Sequence, residues 1–203
     1  MRRTRHSSRT PTARVRFALG LWAASVAGGL IALNVYSATP GSTAENTATW
    51  PSDAGLTRTD GRPVLVVTLH PRCPCSRATV SELNKLMTRL VDRLDVYVLF
   101  VHDAEDSSWV DSDLYVAAGR IPGVQTRGDR AGRISARLRA STSGSALLFD
   151  GRGEHRFSGG LTPGRGHEGD SVGAQQIVRL VEGEAPRAAR SAVYGCELAE
   201  EAP

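Results

Sequence analysis

The residues with most capacity for chemistry are three cysteines. Cys73 and Cys75 flank a proline in His70-Pro71-Arg72-Cys73-Pro74-Cys75-Ser76-Arg77, and Cys196 stands alone near the C-terminus. After the motif, Val80, Leu83, Met87, Leu90, Val91 and Leu94 recur at spacings of three and four residues. That apolar stripe predicts a helix whose first turn carries the two cysteines. A thiol in that place feels unpaired backbone N–H groups and the positive end of the helix dipole, so its pKa falls. Arg72 and Arg77 add positive charge on either side. The thiolate is the form that attacks a disulfide, so Cys73 and Cys75 are the candidate catalytic pair. The same sulfurs are soft metal ligands, and His167 or Cys196 would complete a copper(I) or zinc site. Cys-x-Cys is a short chelate for a tetrahedral ion, and the pair is also compatible with a purely structural disulfide. His70 ends a strand-like run and His167 sits in a glycine-rich loop, where each is equally a capping or loop-ordering residue. The chain shows no glycine-rich phosphate loop and no Ser-His-Asp constellation, and no bound cofactor is expected.

The elements that must position the motif follow from the pattern around it. Val64 to Leu69 is a β-branched run suited to a strand buried on both faces. Val96 to Val101 is a second such run, so strand, helix and strand form a parallel unit. Asp106-Ser107-Ser108 offers caps for a short helix through Trp109, Leu114 and Ala118, ended by Ile121-Pro122-Gly123. A further helix is predicted from Ala131 to Arg139, with the arginines from 127 to 139 as a solvated helix face. Ser145 to Phe149, the turn Asp150-Gly151-Arg152-Gly153 and Glu154 to Ser158 form a hairpin. Ile177, Val178, Leu180 and Val181 mark a last helix. The order predicts an α/β sandwich over residues 62–183, with a C-terminal tail, 184–203, that carries Cys196.

Phe17 to Tyr36 is 20 residues without a charge, enough for a helix to cross a hydrocarbon core. Six arginines precede the first acid, Glu45. This basic tail, residues 1–16, should stay cytoplasmic and place the rest of the chain on the other side. A cleaved signal peptide is the rival, but the run is long and Asn34 and Tyr36 make a poor cutting region, which favours an anchor. Residues 37–61 are rich in Thr, Ser, Pro and Gly and are expected to be a flexible linker. The net charge of +4 belongs to the tail: of 25 basic residues six lie there, leaving 19 against 21 acids. Nucleic-acid binding therefore finds no support in the body of the chain.

The strand VLVVTL, the cysteine motif at the head of a helix and the later hairpin resemble the thioredoxin fold, particularly its membrane-bound TlpA-like branch. HPRCPCSR (70–77), FSGGLTPGRGHEGD (157–170) and YGCEL (194–198) are similar to RedB-type proteins of that superfamily. The resemblance implies a thioredoxin-like α/β/α sandwich with an N-terminal transmembrane helix. It also implies a thiol–disulfide oxidoreductase exchanging electrons with another protein's thiols in an extracytoplasmic or periplasmic setting, as in the maturation of a redox or haem protein. Cys73 would be the nucleophile and Cys75 its partner.

The chain departs from that family at two places. The usual motif is Cys-x-x-Cys, followed seven residues later by an apolar helix position. Counting back seven from Leu83 reaches Ser76, so by that register Cys73 takes the exposed nucleophile position. Ser76 replaces the resolving cysteine, and Cys75 lies one residue early. Two arrangements stay open: a strained, oxidising Cys73–Cys75 disulfide, or Cys73 working with Cys196. The family's cis-proline position, counted back from Asp150, is Gly144. Proline there helps present backbone to substrate and keeps metals from the thiols, so its absence raises the alternative of a copper(I) chaperone or sensor, similar to Sco-type proteins. A third reading is a scaffold without redox activity that binds a partner through the loop 159–169.

Overall fold

The computed structural model of the chain describes residues 13–42 and 47–198. The arginines of the basic tail ahead of residue 13, and Glu45 in the expected linker, lie outside the described residues. The chain divides into two units, residues 1–36 and 37–203. Helix α1 runs over Ala13–Ala38 and buries none of its residues. At 1.5 Å per residue its 26 residues extend about 39 Å. An 18-residue stretch of it has a mean hydropathy of 1.7, so it is long and apolar enough to cross a membrane.

The second unit is built on a five-stranded mixed sheet. Strand β1 (Val64–Leu69) is buried along its whole length, as its β-branched run predicts. It pairs in parallel with β2 (Asp95–His102), Val66 opposite Tyr97. Helix α2 (Pro74–Leu90) connects them. A 3₁₀ turn (Ser108–Asp111) and α3 (Asp113–Gly119) lead to β3 (Val124–Arg130), which is parallel to β2. Short α4 (Arg133–Leu138) precedes β4 (Ser145–Phe149), which lies antiparallel to β1 on its other side. Strand β5 (His155–Gly160) forms the hairpin with β4, and α5 (Val172–Val181) follows. The strand order is β3-β2-β1-β4-β5.

The sheet is covered on both faces. On one, Leu65, Val67 and Leu69 of β1 meet Leu83, Leu86 and Leu90 of α2 and Ile177 of α5. On the other, Val64, Val66, Tyr97 and Phe149 meet Leu138 of α4. The segment expected as a flexible linker contributes to this second face. Leu56 is buried there, and Trp50 stands edge-on to Phe149 at 5.3 Å. Thr57 is hydrogen-bonded to the Tyr97 hydroxyl. Residues 184–198 also lie on the domain: the Ser191 N–H donates to Ser158 O, and Val193 and Leu198 are buried.

One expectation fails outright. The arginines from 127 to 139 do not share a helix face, because residues 124–130 form edge strand β3 and only 133–138 are helical. An edge strand alternates exposed polar residues with half-covered ones, and here Gln125, Arg127 and Arg130 face solvent. Asp129 is buried at the strand's end and caps α4, its carboxylate accepting from the N–H groups of Ile134 and Ser135.

Candidate functional site

Cys73 is the N-cap of α2, and Pro74 occupies the first helical position, where a missing N–H costs nothing. The thiol therefore sits at the helix beginning. It is not exposed, however: Cys73 retains 4% of its accessible surface. The cover comes from the C-terminal segment, which places the sulfur of Cys196 3.3 Å from that of Cys73. Burial pushes the Cys73 thiol up. Hydrogen bonds from the Cys196 N–H, the Cys196 thiol and the N–H groups of Cys75 and Ser76 outweigh it, and the net shift is downward. The two thiols share a hydrogen bond, and their shifts have opposite sign. The Cys196 pKa is pushed up to about 11 by burial, by its hydrogen bond with Cys73 and by the charge of Cys73. Burial, the Cys73 charge and a hydrogen bond with the Cys73 side chain also raise Cys75, which is half-buried.

The arginine that acts on these thiols is not one of the two that flank the motif. Arg72 pairs with Asp106 at 3.0 Å and hydrogen-bonds Ser108, while Arg77 pairs with Asp113 at 3.9 Å. Arg165, from the loop after β5, lowers Cys75 and Cys196. Its guanidinium donates to Gly195 O and to Thr39 O, tying the loop to the C-terminal segment. His167 orders this loop, with its Nδ1 2.8 Å from Arg165 O. Buried Glu82 of α2 accepts from the Gly169 N–H and fixes the loop's far end. Among the described residues, no group of three or more His, Cys, Asp or Glu side chains is arranged to hold a metal ion.

Ser76 is buried in a closed network. Its hydroxyl donates to His70 O at 3.1 Å and lies 2.9 Å from the Ser143 hydroxyl, which accepts the His70 N–H at 3.0 Å. The His70 ring accepts from the Arg72 N–H. Burial, followed by the charge of Arg72, lowers its pKa. Gly144, the position facing the motif, has φ +94° and donates its N–H to Thr68 O at 2.7 Å. Only glycine adopts that backbone readily. Neither Arg165 nor Ser143 stood out in the sequence. The Gly-Arg-Gly spacing of residues 164–166 is the one signal that pointed to the arginine.

No family model and no curated protein matches the chain. Solved structures do. An uncharacterized conserved protein from Geobacillus kaustophilus superposes with a TM-score of 0.59 at 16% identity, over 81% of this chain and 93% of that one. A hypothetical protein from Sinorhizobium meliloti gives 0.55 at 18% identity, over 79% and 93%. A secreted disulfide oxidoreductase from Mycobacterium tuberculosis gives 0.45 at 14% identity, over 61% and 83%. Likeness at such identity is one of fold and says nothing of chemistry. A parallel strand–helix–strand unit joined to an antiparallel hairpin and a final helix, with the cysteine motif heading the first helix, gives this chain a thioredoxin-like fold.

Proposed function

We propose that the chain is a thiol–disulfide oxidoreductase acting on protein thiols, held to a membrane by α1 with its domain on the non-cytoplasmic side. The observation that carries this reading is Cys73. It is the N-cap of a helix, N–H and thiol hydrogen bonds lower its pKa, and its sulfur touches that of a second cysteine. A thiolate of this kind attacks a substrate disulfide, forming a mixed disulfide and releasing one substrate thiolate. A second cysteine of the chain then attacks the Cys73 sulfur and releases the other substrate thiol, leaving the chain oxidised by two electrons. A protein dithiol returns it to the reduced state. In the opposite sense the same steps donate a disulfide.

The setting suits the chemistry, since disulfides persist outside the cytoplasm. The arginine-rich flank before the apolar helix supports that orientation. Segments 70–77, 157–170 and 194–198 each contribute to the site, through Cys73, Arg165 and Cys196.

The test is exchange with a model peptide disulfide by the full-length chain in detergent. Cys73→Ser should abolish it, and Cys73 should be the thiol alkylated fastest near neutral pH in chains whose C-terminal segment is open. Full exchange by the Cys73→Ser protein would refute the reading.

A further inference from the structure

The C-terminal segment is attached to the site as an added strand would be. It passes β5, where the Ser191 N–H donates to Ser158 O and the Gly160 N–H donates to Ala192 O. It then crosses the loop 141–144. There the Ser143 N–H donates to Cys196 O and the Leu198 N–H to Ser141 O, each at 2.8 Å, with Glu197 bridged antiparallel to Thr142. Main-chain pairing of this kind is how an extended peptide docks on an exposed backbone edge. The fit depends on Gly195, where a Cβ would stand 1.8 Å from Ser143 O. With the two backbones pressed together at that point, the next residue delivers its sulfur to Cys73.

We propose that Cys196 is the resolving thiol of this site and that the strap 194–198 occupies the place where a substrate segment docks. Substrate displaces the strap, and the strap's return completes the reaction. The inference rests on the oxidoreductase reading and chooses between the two cysteines that reading leaves available. Three observations favour Cys196 over Cys75. The Cys196 sulfur lies 3.3 Å from that of Cys73, against about 2.0 Å in a disulfide, so a shift of about 1.3 Å closes the bond. The helix position that would carry a resolving sulfur is Ser76, whose hydroxyl is engaged with Ser143 and His70. Finally, the Cys73 sulfur is covered by the strap, so a substrate reaches it only when Cys196 has moved away.

The electrons balance as follows. The Cys73 thiolate attacks substrate R–S–S–R′, forming Cys73–S–S–R and R′–S⁻. The returning Cys196 gives its proton to R′–S⁻ and attacks the Cys73 sulfur. The Cys73–Cys196 disulfide forms and R–S⁻ departs, to be protonated by solvent. The substrate has gained two electrons and the chain has lost two, which a protein dithiol restores.

Trypsin leaves Cys73 and Cys75 on one peptide, 73–77, and Cys196 on another, 191–203. Non-reducing digestion of the oxidised full-length chain should link these two peptides, and Cys75→Ser should keep the link. With a peptide disulfide as substrate, Cys196→Ser should accumulate a Cys73–substrate mixed disulfide released about 10-fold more slowly or worse, because a tethered thiol acts at millimolar effective concentration. Cys196→Ala should do the same, which separates lost chemistry from a misfolded serine variant. If the link disappears in Cys75→Ser, or Cys196→Ser and Cys196→Ala both release substrate at the unmodified rate, this inference falls and the role of Cys73 stands. If Cys73→Ser exchanges normally, the oxidoreductase reading falls with it.

Discussion

Gly195→Ala tests the strap by sterics alone, leaving all three sulfurs in place. A Cβ there would lie 1.8 Å from Ser143 O and 2.9 Å from its carbonyl carbon, and backbone cannot swing aside as a long side chain can. The strap must lift, giving up the bonds from Ser143 N–H to Cys196 O and from Leu198 N–H to Ser141 O. At about 1 kcal/mol net for each hydrogen bond, the closed state loses about 2 kcal/mol. One factor of ten corresponds to about 1.4 kcal/mol, so the opening constant rises about 30-fold. Two consequences for Cys73 then oppose each other. The sulfur becomes accessible, but it loses the Cys196 N–H and thiol that hold its pKa down. Alkylation should therefore be followed across pH. In the alkaline limit, where the thiol is ionised in either state, the rate reports access alone and should rise by about the same 30-fold. Near neutrality the gain should be smaller, because the titration has moved to higher pH. Hydrogen exchange at the Ser143 and Leu198 amides should lose protection to match. A folded Gly195→Ala protein with unchanged alkylation and unchanged exchange at those two amides would refute the steric account of the strap.

Three further predictions test other parts of the structure. Cys196 is pushed up to about 11 from an ordinary 9.0, so folding favours its protonated form. Its contribution to stability is complete below pH 9 and is lost as pH rises from there through about 11. Thermal unfolding followed over that range should show a decline that is shallower in Cys196→Ser. Leu83 is fully buried between α2 and the sheet, and Leu83→Ala should cost about 3 kcal/mol, read as a lowered unfolding midpoint. Ser76→Cys replaces the buried hydroxyl between His70 and Ser143 with a thiol three residues after Cys73. It should reduce the linked 73–77 and 191–203 peptides in favour of a disulfide within the helix head, and it should lower stability by about 1–2 kcal/mol through the lost hydrogen bonds.

The parts of the fold legible in the sequence are those with a strong period. The run Val64–Leu69 is a central strand because it is apolar on both faces, and the stripe from Val80 to Leu90 is a helix because it faces the sheet. The hairpin turn at Asp150 is legible from its glycines and from the aspartate, which accepts the Arg152 and Glu154 N–H groups. Strand β3 is not legible, because its polar edge carries arginines that suit a helix surface as well. Segments 47–61 and 184–198 have no period, and their attachment comes from isolated residues such as Trp50, Leu56 and Val193 packing into the finished sandwich. The site is legible to the same extent. The motif announces a sulfur at a helix head, whereas its cover, its second sulfur and its cation come from residues more than eighty positions away. Charge counting near the motif selected Arg72 and Arg77, which have carboxylate partners of their own. The acting cation is on a loop whose sequence position reveals nothing of its distance.

The two departures from the usual thioredoxin-like pattern, Ser76 and Gly144, have one explanation in the strap. Ser76 stands where a second sulfur would be, and its hydroxyl joins that of Ser143 under the loop 141–144. Ser143 in turn presents its N–H outward to Cys196 O. Gly144, with its left-handed backbone, turns the chain directly into β4 by donating to Thr68 O. A Cβ on it would meet Thr79 Oγ1 at 3.2 Å, with Tyr194 O at 3.7 Å and Val193 Cγ1 at 3.9 Å beyond. The hydroxyl in the helix thus fixes the loop, the loop fixes the strap, and the strap supplies the sulfur that the helix lacks. In a Cys-x-x-Cys helix both sulfurs ride on one rigid element, and the peptide-binding edge is independent of them. Here the closed Cys73–Cys196 disulfide and a docked substrate segment exclude each other, because the returning strap takes the Ser143 N–H that the segment would take. Oxidation of the chain therefore expels its own substrate, and the oxidised form should bind an extended peptide more weakly than the reduced form does.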